Sequence, residues 1–228
     1  MNGRVERSPR SRIDPGRDRI LVDGRRVGTS GGRDRLVLAL HKPVGLVTTR
    51  SDPGGRPTVY EALADLDRWV FPVGRLDRDT SGLLIFTNDS ALGAQLTDPR
   101  HHVPRTYHAR VRGHPDAGAL GALRAGMDLG DGALSRPALV RLLGSPRPRA
   151  SSTPDPPGAG SSWLELVLTE GKNRQVRRMC AHVGHTVFDL VRVRIGRLDL
   201  GTLAPGQWRA LSPDDIHLLT QGTQGVRS

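Results

Sequence analysis

Short apolar runs bounded by Gly, Pro or charged residues punctuate the chain from residue 36 onward. Residues 36–40 and 45–49 read as strands around His41-Lys42-Pro43, and 69–73 and 82–87 as a second pair. Residues 104–113 alternate, with Tyr107, Ala109 and Val111 on one face and Arg110 and Arg112 opposite, the pattern of a half-buried strand. Further strands are predicted over 137–143, 162–169, 186–195 (with Arg192 and Arg194 on one face) and 203–211. A short helix is predicted over 58–66, with Thr58 as cap and Glu61 three residues on. Ser90 caps another reaching about Leu96. Residues 116–127 are amphipathic, with Leu120 and Leu123 inward. Val176, Met179, Cys180 and Val183 repeat at helical spacing before Gly184, and Ser212-Pro213-Asp214-Asp215 opens a last helix. Helices and strands do not alternate strictly. The expected fold is therefore α+β, a mixed, mostly antiparallel sheet flanked by helices, rather than a doubly wound sheet.

The ends differ from the middle. Residues 1–35 hold ten Arg and little that could form a core, so they predict a basic, largely flexible segment with a hairpin near 19–27. Residues 36–219 predict the globular domain and 220–228 a flexible tail. The stretch 145–161, rich in Pro, Ser and Gly, predicts a disordered insertion between two strands.

Composition narrows the function. With 228 residues the chain has ample length to bury a core. Its 34 Lys and Arg against 23 Asp and Glu leave a formal charge of +11, which favours a polyanionic partner. The excess of Arg over Lys (Lys42 and Lys172 alone) also fits a GC-rich coding sequence. A single cysteine, Cys180, excludes an internal disulfide framework or a cysteine-rich metal site, and the eight His show no ligand spacing. No metal is expected. Neither an apolar run of about 18 residues nor the apolar core of a secretory signal occurs, so a cytoplasmic protein without membrane association is expected.

Between the strands at 69–73 and 82–87 runs Gly74-Arg75-Leu76-Asp77-Arg78-Asp79-Thr80-Ser81-Gly82. Charge in a loop between buried strands is costly to bury, and a solvated turn closed by local salt bridges is the plain explanation. The residue order, however, resembles the catalytic-aspartate motif of the pseudouridine synthases, in the ribosomal RNA-modifying RsuA/RluB/RluE/RluF branch. A second stretch, Gly171-Lys172-Asn173-Arg174-Gln175-Val176-Arg177-Arg178-Met179, resembles that family's second strong motif. Lys42-Pro43 and Tyr107 also match. His41 departs from the family's Asn, and Arg105 from its Lys. The resemblance covers roughly 36–219.

The resemblance implies the pseudouridine synthase fold and a cofactor-free isomerisation of a uridine in ribosomal RNA, with the nucleotide flipped out of its stack. It implies that Asp77 is the catalytic residue, that Arg177 pairs with it, and that Tyr107 stacks on the flipped base and takes its C5 proton. On a helix with about 100° between residues, Arg174 and Arg178 project elsewhere, as RNA contacts or surface. Arg75 reads as a contact to RNA or the flipped nucleotide, or as loop structure. Lys42 reads as a phosphate contact or an exposed strand end, and Lys172 joins the RNA-binding set. Cys180 reads as core. The N-terminal hairpin resembles the last piece of a small RNA-binding module whose helical part is missing, either lost or left upstream of the start codon. That truncation favours large-subunit over small-subunit rRNA, and a monomer is expected. Two other readings stand beside this one. One is a noncatalytic rRNA-binding or ribosome-assembly factor on the same fold; the other is a hydrolase using Asp77 with Asp79.

Overall fold

The computed structural model describes residues 2–8, 11, 13–14, 17–22, 25–27, 35–130, 132–144 and 160–221. The chain divides into two units, Met1–Arg35 and Leu36–Ser228. In the first, β1 (Ile20–Val22) pairs antiparallel with β2 (Arg25–Val27), Ile20 opposite Val27. Asn2 binds the approach to β1: its Nδ2 donates to Asp18 and its Oδ1 accepts from the Arg19 amide, both at 2.7 Å. The Asp23-Gly24 turn lies outside the described residues.

The second unit is built on one sheet. Its strands are β3 (Val37–Lys42), β4 (Phe71–Val73), β5 (Ser81–Thr87), β6 (Arg105–Arg112) and β7 (Leu139–Leu143). They continue with β8 (Ser161–Leu168), β9 (Val187–Ile195), β10 (Leu198–Asp199) and β11 (Trp208–Ala210). The order is β11-β3-β5-β9-β6-β8-β7, with β4 on β5 and β10 on β9. The central β5–β9 pairing is parallel and the others are antiparallel. Helices α1 (Ser90–Thr97), α2 (Ala117–Ala125), α3 (Gln175–His182) and α4 (Pro213–Thr220) flank this mixed sheet, an α+β arrangement.

Both faces of β3 and β5 are covered, which is why their sequences are apolar throughout instead of alternating. Val37, Ala39, Leu83 and Ile85 pack with Leu92 and Leu96 of α1 and Leu219 of α4. Leu38, Leu40, Leu84 and Phe86 pack on the other side with Val59, Leu63 and Val70. Full burial of each Leu or Phe contributes roughly 1.5–3 kcal/mol. A separate core forms where Ala109, Val111, Leu164 and Leu166 meet Leu120 and Leu123 of α2 and Val176, Met179 and Cys180 of α3. Burial pushes the Cys180 thiol up to about 12, the behaviour of a core residue rather than a nucleophile.

Several expected elements differ. Residues 45–49 form a turn, begun by Gly45 at φ +96°, with only an isolated bridge from Val47 to Thr58. Over 58–66 the chain forms a single 3-10 turn, Glu61–Leu63, although Glu61 does accept from the Thr58 amide at 2.9 Å. The cap of α1 is Asp89 rather than Ser90, its carboxylate accepting from the Ala91 and Leu92 amides. The strand expected over 203–211 shortens to β11, because Pro205 and Gly206 (φ +84°) turn the chain first. Of the insertion at 145–161, residues 145–159 lie outside the described residues, and Ser161 opens β8. Most of the tail at 220–228 (222–228) lies outside them too.

Candidate active site

Strands β4 and β5 pair antiparallel, Phe71 opposite Thr87, so the charged stretch 74–80 is the loop of a hairpin. Gly74 turns it at φ +74°. The loop is held from below. The Lys42 ammonium, at the end of β3 and wholly buried, donates to the carbonyls of Thr80 (2.8 Å) and Pro43 (2.9 Å), with Arg78 O at 3.5 Å. Thr48 Oγ1 donates to Leu76 O at 2.8 Å, and the Gly45 amide donates to Arg78 O at 2.8 Å. Burial pulls the Lys42 ammonium down to about 8, while Asp79 and Asp77 act the other way. This corrects the expectation that Lys42 meets an RNA phosphate or ends a strand in solvent. The residue is fully covered by the loop whose carbonyls it binds.

Gly82 sets the loop against the centre of the sheet. It lies beside Arg192 in the parallel β5–β9 pairing, at φ +108°, and a Cβ there would sit 2.3 Å from the Arg192 carbonyl oxygen. Only glycine fits so close to a neighbouring backbone at that dihedral.

The second motif meets the loop from α3, with a pairing the helix-spacing argument did not foresee. Arg174 precedes the helix and adopts the left-handed conformation, φ +49°, ψ 32°. Its side chain therefore does not follow the 100° progression of a helix. Instead it forks onto Asp79, with bonds of 3.0 and 2.8 Å, and brings Nη1 within 3.9 Å of Asp77 Oδ2. Arg177, expected to pair with Asp77, pairs with Asp79: Nε lies 3.2 Å from Asp79 Oδ2, and Nη2 donates to Asp79 O at 2.7 Å. Its Nη1 donates to Val187 O at 3.0 Å, which ties α3 to both β9 and the loop. Burial raises the Asp79 carboxyl, but the Arg174 hydrogen bonds and the Arg177 charge outweigh it and leave the group below its ordinary range. Arg178 donates through Nε to Leu129 O at 2.9 Å, so its guanidinium is engaged within the fold, a correction to its reading as an RNA contact.

A cleft of about 500 Å³ opens between the loop, β6 and the residues before α3. Asp77, Arg75, Tyr107, Lys172 and Arg174 all line it, whereas Arg177, Arg178 and Lys42 do not. The Asp77 side chain is 37% exposed and Arg75 lies open on the wall. Lys172 keeps a 4.0 Å approach to Glu170 and remains partly exposed. Three further arginines stand in the wall, Arg105, Arg136 and Arg192. Arg105 donates to Leu96 O at 2.9 Å, and Arg192, 3% exposed, donates to Leu83 O at 2.8 Å. Tyr107 lies directly across from Arg192 in the β6–β9 ladder. Arg192 carries no motif signal. The alternation of its strand marked a basic face, but not that this face closes on a cleft. Among the described residues, no cluster of three or more His, Cys, Asp or Glu is placed to hold a metal, and no helix is long and apolar enough to cross a membrane.

A cleft lined by an accessible carboxylate, several arginines and a tyrosine suits an enzyme that handles a base of a nucleic acid. Residues 36–182 match the RNA pseudouridylate synthase family, and the chain belongs to it. A protein of Xanthomonas campestris pv. campestris named ribosomal large subunit pseudouridine synthase E is 45% identical over 183 residues, covering 76% of this chain and 94% of that one. An uncharacterized RNA pseudouridine synthase of Aquifex aeolicus is 36% identical over 217 residues, 95% of this chain and 81% of that protein. Among solved structures, one described as a pseudouridylate synthase superposes with a TM-score of 0.68 at 27% identity, covering 96% of this chain and 86% of that one.

Proposed function

We propose that this protein isomerises one uridine of ribosomal RNA, in the large subunit, to pseudouridine, with Asp77 as the catalytic carboxylate. The observation that carries the reading is the setting of Asp77: partly exposed on the cleft wall, it has, among the described residues, one cation at 3.9 Å and no tight ion pair. The large-subunit preference draws on the names of relatives 45% and 48% identical to the chain. The target nucleotide leaves its stack, at a cost of a few kcal/mol that is smallest in loops. Asp77 promotes cleavage of the bond between ribose C1′ and uracil N1. The base turns, C5 joins C1′, the proton leaves C5 and N1 takes one up, so the product is an isomer formed with no redox step or added group. Tyr107 stacks on the base, with Arg75, Lys172 and Arg174 facing the RNA backbone, and Arg177 keeps the Asp79 side of the loop in place. A substrate in the ribosome makes the enzyme cytoplasmic, and we read it as a monomer, to be checked by sedimentation.

The test is carbodiimide labelling with primer extension on unmodified rRNA transcripts of both subunits, wild type beside Asp77→Asn. A single new stop in large-subunit RNA, made by the wild type alone while the variant still binds, is expected. Binding without modification by the wild type would turn the reading into that of a noncatalytic rRNA-binding factor.

A further inference from the structure

Arg192 has one buried guanidinium nitrogen with nothing to bind. The residue lines the cleft, is 3% exposed, and is fixed from behind by the bond from Nε to Leu83 O. Its backbone is locked against Gly82 on one side and faces Tyr107 on the other. Yet Nη2 is out of contact with solvent and has no hydrogen-bond partner among the described residues. A native protein rarely leaves a buried donor unmatched, and where it does the group calls for a role. A cation nearby does not supply the partner, since Arg105, on the same wall, carries the same charge.

Resting on the function proposed above, we propose that Arg192 contacts the substrate base: once the entering ring parts the side chains that cover Nη2, its free N–H receives a carbonyl oxygen of the flipped uracil and the negative charge this oxygen gains when the C1′–N1 bond breaks. The electron pair of that bond passes to N1 and spreads over O2 and O4, while C1′ is held by the enzyme. When C5 bonds to C1′ the charge is withdrawn, and the proton then leaves C5 while N1 takes one up. Three features favour this ligand over a phosphate. Cross-strand neighbours lie about 5 Å apart at Cβ, so a ring stacked on Tyr107 brings its edge to Arg192. The donor is recessed, which suits a flat ring and not a hydrated tetrahedral anion. A donor already stripped of water and fixed by the fold also acts most strongly on charge that develops during reaction.

The experiment compares wild type, Arg192→Lys and Arg192→Met on an RNA bearing the mapped uridine, and on the same RNA with 2-thiouridine or 4-thiouridine there. Sulfur accepts hydrogen bonds poorly. The wild type is expected to lose about tenfold in kcat on one of the two thio substrates. Arg192→Lys should lose about a hundredfold on the normal RNA with KM within threefold, and should no longer distinguish the thio substrate from the normal one. Circular dichroism and thermal melting report folding. Should Arg192→Met fail to fold, the wild-type response to sulfur and the Lys variant carry the test. A folded Arg192→Met with kcat within threefold of wild type overturns the assignment, and so does a wild type indifferent to sulfur at both positions. No pseudouridine from the wild type on any rRNA overturns the proposed function itself and this assignment with it.

Discussion

Replacing Lys42 by Met separates two readings of that residue and has a magnitude that can be worked out. The ammonium makes two good bonds to carbonyls, at 2.8 and 2.9 Å, and a weak third at 3.5 Å. Bonds from a charged donor contribute roughly 1.5–3 kcal/mol each, so their loss costs about 3–6 kcal/mol. Against this stands the cost of keeping the charge out of water. Burial brings the ammonium from 10.5 to about 8. At about 1.4 kcal/mol for each tenfold change in proton affinity, that is on the order of 3 kcal/mol. The two nearly offset, and Lys42→Met should destabilise the protein by only about 1–2 kcal/mol. Activity should respond far more. Of the three freed carbonyls, that of Pro43 follows Lys42 itself, and those of Arg78 and Thr80 lie on either side of Asp79 in the loop that carries Asp77. A displacement of about 1 Å at a reacting group costs about a hundredfold in rate. Expected, then, are a small shift of the urea midpoint, a kcat about a hundredfold lower, an unchanged salt dependence of RNA binding, and faster amide exchange across 74–80. A variant that keeps full kcat but binds RNA more weakly, with the salt slope reduced by about one, would restore the phosphate-contact reading and refute the structural one.

Other measurements follow from the same geometry. Because the folded pKa of Lys42 is depressed, the unfolded chain binds more protons than the folded one between about pH 8 and 10.5. The wild type should therefore gain stability relative to Lys42→Met as pH rises through that window, read from urea midpoints at pH 7.5 and 9.5. Gly82→Ala forces a Cβ to within 2.3 Å of the Arg192 carbonyl oxygen at φ +108°, and should cost roughly 2–4 kcal/mol in the same assay. Arg174→Ala removes an ion pair whose ends are both 45% exposed, and should change stability by less than about 1 kcal/mol. Arg177→Ala removes a side chain that is only 13% exposed and the bonds it makes to the Val187 and Asp79 carbonyls. It should cost about 2–3 kcal/mol by chemical denaturation, and an equal cost for the two variants would contradict the geometry.

Periodicity located the sheet well because the sheet is what periodicity describes. The unbroken apolar runs of β3 and β5 follow from covering on both faces, whereas the alternation of 104–113 locates β6 but not its burial, since Arg110 is 4% exposed and pairs with Asp189. It failed at 45–49, where a positive-φ glycine and a side-chain bond from Thr48 to Leu76 decide the path. Apolar residues there looked like a strand, but they belong to a turn that braces the motif loop. The motifs located the loop and α3 equally well, yet not the contacts between them. Arg174 was placed by assuming helical φ and ψ one residue too early. Lys42 looked like a ligand contact because lysines are mostly exposed, and only the three-dimensional path of residues 78–80 shows that it binds backbone instead.

The division between the two aspartates follows from the same contacts. Asp79 receives Arg174 at 2.8 Å and Arg177 at 3.2 Å, and its backbone carbonyl takes a further bond from Arg177. Asp77, two residues earlier on a loop of mostly exposed residues, has among the described residues only the 3.9 Å approach of Arg174. A carboxylate gripped by two guanidiniums has its lone pairs committed and is a poor nucleophile or base. One with a cation near but not bonded keeps its oxygens free. Asp79 thus holds the arginines of α3 against the loop, and that grip is what leaves Asp77 open to the cleft. An arginine paired tightly to Asp77 itself would have to be displaced before that carboxylate could act.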